Sequence, residues 1–223
     1  NNGGVVTAEF VGCGMPKKNQ RKSTTDWSNA TTANGLQDIE DTVVAASAEG
    51  VTIRYVVMHV ADFSLLKKQK STFDTLKAWV NSSSKILVTK NLINEYLAEQ
   101  EIPVKIITVN PAVRIEDSAH RRKTINPWER KRVCFLEDLK VGDIQHGPIA
   151  AESSATLQKI ALMVKQDWIL VTKWSELEPF KEWTKAEANA IPVVNDPDAM
   201  FIMKVDGKDW NASEDTEGTD DIP

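Results

Sequence analysis

The chain has 223 residues, 41% of them hydrophobic and 26% charged, and a formal net charge of −5. That length and balance suit one large domain or two small ones with a sizeable buried core. The acidic sum excludes a global positive field that would draw the whole chain to nucleic acid or an anionic membrane.

Two cysteines, Cys13 and Cys134, stand far apart and outside any metal-ligand spacing, so neither a disulfide framework nor a zinc site is expected. No apolar run reaches the length of a membrane span, and the first residues carry no basic-then-apolar leader. The expectation is a soluble chain made in the cytoplasm.

In chain order, Val5 to Val11 alternates as a strand would and is interrupted by Gly12 and Gly14. Met15-Pro16 leads into a basic tip of Lys17, Lys18, Arg21 and Lys22, after which Ser23 to Trp27 reads as the returning strand of a long hairpin. The tip reads equally well as a solvated loop or as an intersubunit contact. Leu36, Ile39, Val43 and Ala46 then fall at helical spacing, with acids Asp38, Glu40 and Asp41 near the start and Gly50 as the stop. Val51 to Met58 reads as a strand. Asp62 is expected to cap a helix carrying Phe63 and Leu66, and Thr72 to Val80 forms another. Ile86 to Val88 reads as a short strand, and Thr89 caps an amphipathic helix with Leu92, Ile93, Tyr96 and Leu97 in register. Val104 to Val109 is β-branched, and Val113 to Glu116 with Lys123 to Ile125 predicts a hairpin.

Pro127 to Glu152 has a Pro-Trp corner, a strand over Val133 to Leu136, a turn at Asp138 to Gly142, and Gly147-Pro148. Its polar groups sit at turns, as in a stretch that shapes a surface rather than a reaction. Ser153 to Lys165 reads as irregular or weakly helical, Trp168 to Trp174 as a strand, and Thr184 to Ala190 as a short helix. Pro192 to Val194 precedes a turn at Asn195 to Asp198, and Met200 to Val205 is the last strand. From Asp209 to Asp221 there are six acids and no base, which predicts a disordered tail. The whole reads as α+β.

Chemistry-bearing patterns are scarce. His59, His120 and His146 are isolated in sequence, and no phosphate-binding, nucleophile-elbow or zinc-protease motif occurs. No catalytic residue, metal site or cofactor is expected. Two basic clusters, Lys17 to Lys22 and Arg121 to Arg132, have few aromatic neighbours, which allows local phosphate contact and no sequence-specific reading. Seven tryptophans, with Trp168, Trp174 and Trp183 close together, point first to core packing and second to a subunit interface.

The order of motifs resembles the major capsid proteins of tailed bacteriophages with the Hong Kong 97-type shell fold. The matching segments are Gly14-Met15-Pro16 with its basic loop, Thr25-Asp26-Trp27-Ser28, the helix from Asp38, and Asn94 to Pro103. They continue through Asn126-Pro127-Trp128-Glu129, Val133 to Gly142 and Gly147 to Glu152 to Trp168-Ile169-Leu170-Val171. The last are Lys173-Trp174-Ser175, Pro179, Thr184 to Glu187, Ile191-Pro192-Val193 and the strand from Met200. The resemblance implies an extended loop over residues 1–30, a peripheral-domain spine helix over 31–50 and an axial domain over 51–190. A return strand over 191–208 and the acidic tail over 209–223 would follow. The arm and first peripheral-domain strands that the family places upstream are not in this sequence.

The implied function is structural: self-assembly into pentamers and hexamers of an icosahedral head around double-stranded DNA, with no enzymatic activity. The implied partners are copies of itself, scaffolding or portal proteins, and packaged DNA held non-specifically, with no membrane. The implied location is the virion. Lys17, Lys18, Arg21, Lys22, Trp128 and Arg130 are the candidate intersubunit contacts. A nanocompartment shell of the same fold is the alternative, and an α+β enzyme built on scattered carboxylates and His146 is a more distant one.

Overall fold

The computed structural model describes residues 14–81, 86–102, 104–116, 122–149, 162–166, 168–177 and 180–210. A 3₁₀ turn (Lys17–Asn19) leads into β1 (Gln20–Lys22), α1 (Gly35–Ala48), β2 (Tyr55–His59), α2 (Val60–Lys68), α3 (Lys70–Trp79) and α4 (Lys90–Glu99). Strands follow: β3 (Lys105–Val109), β4 (Val113–Glu116), β5 (Arg122–Ile125), β6 (Arg132–Leu136), β7 (Gly142–His146) and β8 (Leu162–Gln166). The last are β9 (Ile169–Leu177), β10 (Phe180–Glu187), β11 (Ala190–Val194) and β12 (Phe201–Lys204). The class is α+β, as the sequence predicts.

Packing divides the chain into two units, Asn1–Leu139 with Asp196–Pro223, and Lys140–Asn195. In the first, a five-stranded mixed sheet has the order β1-β12-β6-β2-β3. β2 and β3 are parallel, and α2, α3 and α4 make the crossover between them that a parallel pair requires. β6 runs antiparallel to both β2 and β12. Its core joins Trp27, the apolar face of α1, Leu66, Leu76, Ile93 and Leu97 to Val56, Met58, Ile106, Val133, Phe135, Phe201 and Met203. Each such side chain taken from water contributes roughly 1.5–3 kcal/mol. The expected hairpin β4/β5 is present, with Val113 opposite Ile125.

Polar groups fix how α1 meets this core. The Gly35 N–H donates to Gln69 Oε1 at 2.7 Å, so a residue between α2 and α3 caps α1. A Cβ at Gly35 would lie 2.5 Å from Leu66 Cδ1 and 2.9 Å from Trp27 Cε2, so only glycine lets these elements approach. Asp38, buried in the first turn, accepts from Trp27 Nε1 at 2.9 Å and from the Thr24 N–H at 3.0 Å. Thr89 caps α4 as expected, its Oγ1 accepting from the Leu92 N–H at 3.2 Å.

The second unit is built from ribbons. β9 lies between β8 and β10 in an antiparallel sheet, and β7 pairs with β11. Trp174 and Trp183 face each other across β9 and β10, with ring centroids 6.4 Å apart.

Several expectations are corrected. Ser23 to Trp27 is not a returning strand: its backbone bonds to Lys204 and Val205 and carries Trp27 into the core, while β1 runs parallel to β12. Val5 to Val11 lies outside the described residues. The cap of α2 is His59, whose Nδ1 accepts from the Ala61 N–H at 3.1 Å, and not Asp62, which lies in the first turn. Ile86 to Val88 is not a strand. Thr184 to Ala190 is not a helix, because pairing of β10 with β9 overrides the local helical tendency. Of Ser153 to Lys165, 162–165 belong to β8, and 153–161 lie outside the described residues.

The units also cut the chain at other points than the capsid-type division does. Residues expected as a spine helix share one core with residues 51–139, and the first unit resumes at Asp196. Packing defines these units, whereas position in a shell defines spine and axial domains.

Candidate intersubunit surface

The six candidate contact residues fall on two segments, the basic tip and the turn before β6. Lys18 pairs with Glu49 just beyond α1, and the hydrogen bond to that carboxylate, with its charge, raises the Lys18 pKa. Lys22 pairs with Asp209. Both contacts are exposed, where an ion pair contributes little and weakens with salt. Lys17 is exposed, and Arg21 is half-buried in β1. Asn19 anchors the tip from beneath, its Nδ2 donating to the carbonyls of Asp198 at 2.8 Å and Met200 at 2.9 Å.

On the other segment, Trp128 is half-buried and its Nε1 donates to the Arg132 carbonyl at 3.3 Å. Arg130 reaches Asp62 Oδ1 at 3.0 Å, and the Lys131 N–H donates to Asp62 Oδ2 at 3.0 Å. The Asp62 side chain is fully buried while that of Arg130 is half exposed, so a half-exposed cation neutralises a carboxylate sealed inside. Lys131 has φ +61, a strained conformation that this contact holds in place.

The turn before β6 also reaches Asp26, whose Oδ2 accepts from Lys131 Nζ at 2.9 Å. Burial alone would raise the Asp26 pKa, but the Ser28 hydroxyl and N–H and the Lys131 ammonium outweigh it and hold the carboxyl at about 2. Arg21 of β1 and the start of β6 are joined through Trp210, which packs its ring 4.8 Å from the Arg132 guanidinium and 5.4 Å from Lys204 Nζ. Its Nε1 donates to the Arg21 carbonyl at 2.6 Å. Asp209 and Trp210, expected in a disordered tail, are therefore tied to the sheet, and residues 211–223 lie outside the described residues. Asp26, Asp62 and Trp210 were not candidates. The one signal that could have drawn attention was a lone tryptophan at the mouth of an acidic stretch.

The described histidines and Cys134 have structural surroundings. His59 is buried and serves as a helix cap, with Nε2 against Asn126 Nδ2 at 2.9 Å. His146 is exposed and stacks on Trp168 at 5.0 Å, and His120 lies outside the described residues. Among the described residues no three His, Cys, Asp or Glu side chains converge as metal ligands. Burial pushes the Cys134 thiol up to about 11, which keeps it protonated and unreactive at neutral pH.

The second unit has a different surface. Every residue of β10 from Phe180 to Ala186 is exposed, and Phe180 is 69% and Trp183 46% accessible. Trp168, Ile144 and Ile191 are also largely exposed. The sequence drew first on core packing to explain the late tryptophans; Trp168 and Trp183 stand instead at the surface.

The sequence profile of the family described as phage major capsid protein E matches residues 1–205. The chain belongs to that family. This capsid-family chain is similar in structure to a protein described as the capsid protein of a prophage of E. coli CFT073, with a TM-score of 0.54 and 15% identity. The match covers 86% of this chain and 54% of that one, so the chain spans about half the length of the solved structure it matches. A phage-related protein from Bordetella bronchiseptica RB50 aligns at 12% identity and a TM-score of 0.46, over 91% of this chain and 60% of that one. No curated protein matches the chain. That family is one of phage capsid proteins.

Proposed function

We propose that the chain is a subunit of an icosahedral phage head, joining copies of itself into pentamers and hexamers that enclose double-stranded DNA. The family match over residues 1–205 carries this reading. The second unit supports it, because an exposed ribbon bearing Phe180 and Trp183 is the apolar surface that a repeated self-contact buries. Such heterologous contacts close into rings only where the rotation between copies fits.

Within this reading, residues 1–30 form the extended loop over a neighbour, 31–50 the spine helix, 51–190 the axial domain and 191–208 the return strand. Lys17, Lys18, Arg21, Lys22, Trp128 and Arg130 line the contact between copies. Lys18 and Lys22 have partners within their own chain, so an incoming acid competes with Glu49 and Asp209 for them. Lys17 is exposed and has no ion-pair partner among the described residues, which makes it the cleaner test position. Scaffolding and portal proteins and the packaged DNA are the remaining proposed partners, and the virion the proposed location.

The test is expression followed by size-exclusion chromatography and negative-stain microscopy, with nuclease protection of any enclosed DNA. Rings or closed particles are expected. A chain that stays monomeric at all concentrations would overturn the reading. Protein-filled, nuclease-indifferent shells would transfer it to a nanocompartment.

A further inference from the structure

Register places three cations abreast at one end of the first unit's sheet. Lys22 of β1 lies opposite Lys204 of β12, and Lys204 lies opposite Arg132 of β6. Adjacent strands are about 5 Å apart, and like charges set directly opposite one another destabilise a sheet. Lys204 is moreover 1% accessible, so water does not screen the middle charge. The chain supplies one counterpart to this row immediately after β12.

That counterpart is Asp209-Trp210. The Asp209 carboxylate pairs with Lys22, and its carbonyl accepts from Lys204 Nζ at 3.3 Å. The Trp210 ring faces both Lys204 and Arg132, and its Nε1 bonds to the Arg21 carbonyl. Glu129 balances Arg132 from the other side at 2.7 Å. A tight turn returns the segment onto the sheet: Gly207 has φ +72, open to glycine at little cost, and Asp206 Oδ1 accepts from the Lys208 N–H at 3.0 Å.

We propose that Lys22, Lys204 and Arg132 form a docking site for an acidic–aromatic segment, filled by Asp209-Trp210 of the same chain, and that this latch fastens β1 to the sheet. Among the described residues, β1 is a three-residue edge strand held on one side, by β12. Ladder bonds of that length hold poorly alone. The latch adds a charge pair at Lys22 and a hydrogen bond at Arg21, which are two of the three residues. In the capsid reading, on which this consequence rests, the latch sets the base from which the extended loop leaves its own subunit.

Limited trypsin digestion of the full chain, with mass-spectrometric timing of each cleavage, tests the latch. Trp210→Ala should speed cleavage between Lys17 and Lys22 by about ten-fold, with cleavage at Lys77 and Lys90 in α3 and α4 unchanged, as local release of an edge predicts. Trp210→Phe keeps the ring and loses the Arg21 bond, so its rate should fall between the two. Sodium chloride at high concentration should speed cleavage of the native tip, because the Lys22–Asp209 pair is exposed. A Trp210→Ala rate within about two-fold of native at the tip would overturn the proposal, since local opening would then not depend on the latch. Equal acceleration at Lys77 and Lys90 would overturn it too, by showing loss of the whole unit. Digestion reads the subunit and microscopy reads the particle. An unaltered tip with normal shells discards the latch alone, and a loosened tip with no native shells discards the capsid reading alone.

Discussion

The two packing units spend similar kinds of residues in opposite ways. In the first, Trp27, Phe135, Ile39 and Leu66 are sealed between four helices and a five-stranded sheet, and the polar atoms that go with them, the Asp38 carboxylate and Gln69 Oε1, accept hydrogen bonds inside. In the second, Leu170 and Thr172 are buried, whereas Phe180, Trp183, Trp168, Ile144 and Ile191 face outward. Two- and three-stranded antiparallel sheets of that size are marginal alone. The first unit is therefore the stable scaffold, and the second presents apolar surface that self-contact would bury. Mutations should separate these two roles.

The largest loss of stability is expected at the middle of the scaffold. Phe135 of β6 is fully buried and pairs with Val56 on one side and Phe201 on the other. Phe135→Ala should lower the unfolding free energy by about 3–5 kcal/mol, read from the denaturant midpoint at constant slope. Next comes Asp38→Ala, which strips the acceptor from the buried Trp27 indole and from the Thr24 N–H. One buried donor left unpaired costs about 1–3 kcal/mol, and Asp38→Asn should recover part of it by keeping an acceptor.

Cys134 reports on the same unit without perturbing it. With its thiol held at about 11 by burial, the native thiolate fraction near pH 8 is about 100-fold below that of an ordinary thiol of pKa 9.0. In a Cys13→Ser background, a disulfide reagent should modify the partly accessible Cys134 slowly at pH 8 in the native state and faster once denaturant opens the sheet. The linkage runs one way: the unfolded thiol ionises first, so stability is intact below pH 9 and declines as pH rises toward 11. Fast native labelling at pH 8 would show that the thiol is not held protonated by its surroundings in β6.

Most of the scaffold was legible in the sequence because periodicity records burial. The helix with Leu36, Ile39 and Val43, the Thr89 cap, the β4/β5 hairpin and the strand Val133 to Leu136 were all predicted from local pattern and are present. Two of the failures share a cause, which is that pairing outside the local window decides the outcome. Thr184 to Ala190 has helical composition but lies in a ladder with β9, and Ser23 to Trp27 is drawn off strand geometry by bonds to residues beyond 200. The charge pattern showed which segments are basic but not what they touch. That Asp62 receives Arg130, Asp26 receives Lys131 and Trp210 covers the Lys204 row depends on register between strands far apart in the chain.

The smallest effect on subunit stability is expected where the side chains are largest and most exposed. Phe180 opens β10 opposite Leu177 and is 69% accessible, so Phe180→Ser removes little contact within the chain. Unfolding should shift by no more than about 0.5 kcal/mol, in either direction. The same substitution removes apolar area from the face that the capsid reading assigns to neighbouring copies, and aromatic anchors of that kind dominate association when buried. Particle yield or ring formation should therefore fall although the monomer melts normally. A variant that melts early would place Phe180 in a packing role within its own unit. A variant that melts normally and assembles fully would leave the ribbon exposed in the shell as well, and the self-contact would have to be sought on the scaffold, at Lys17 and the turn before β6.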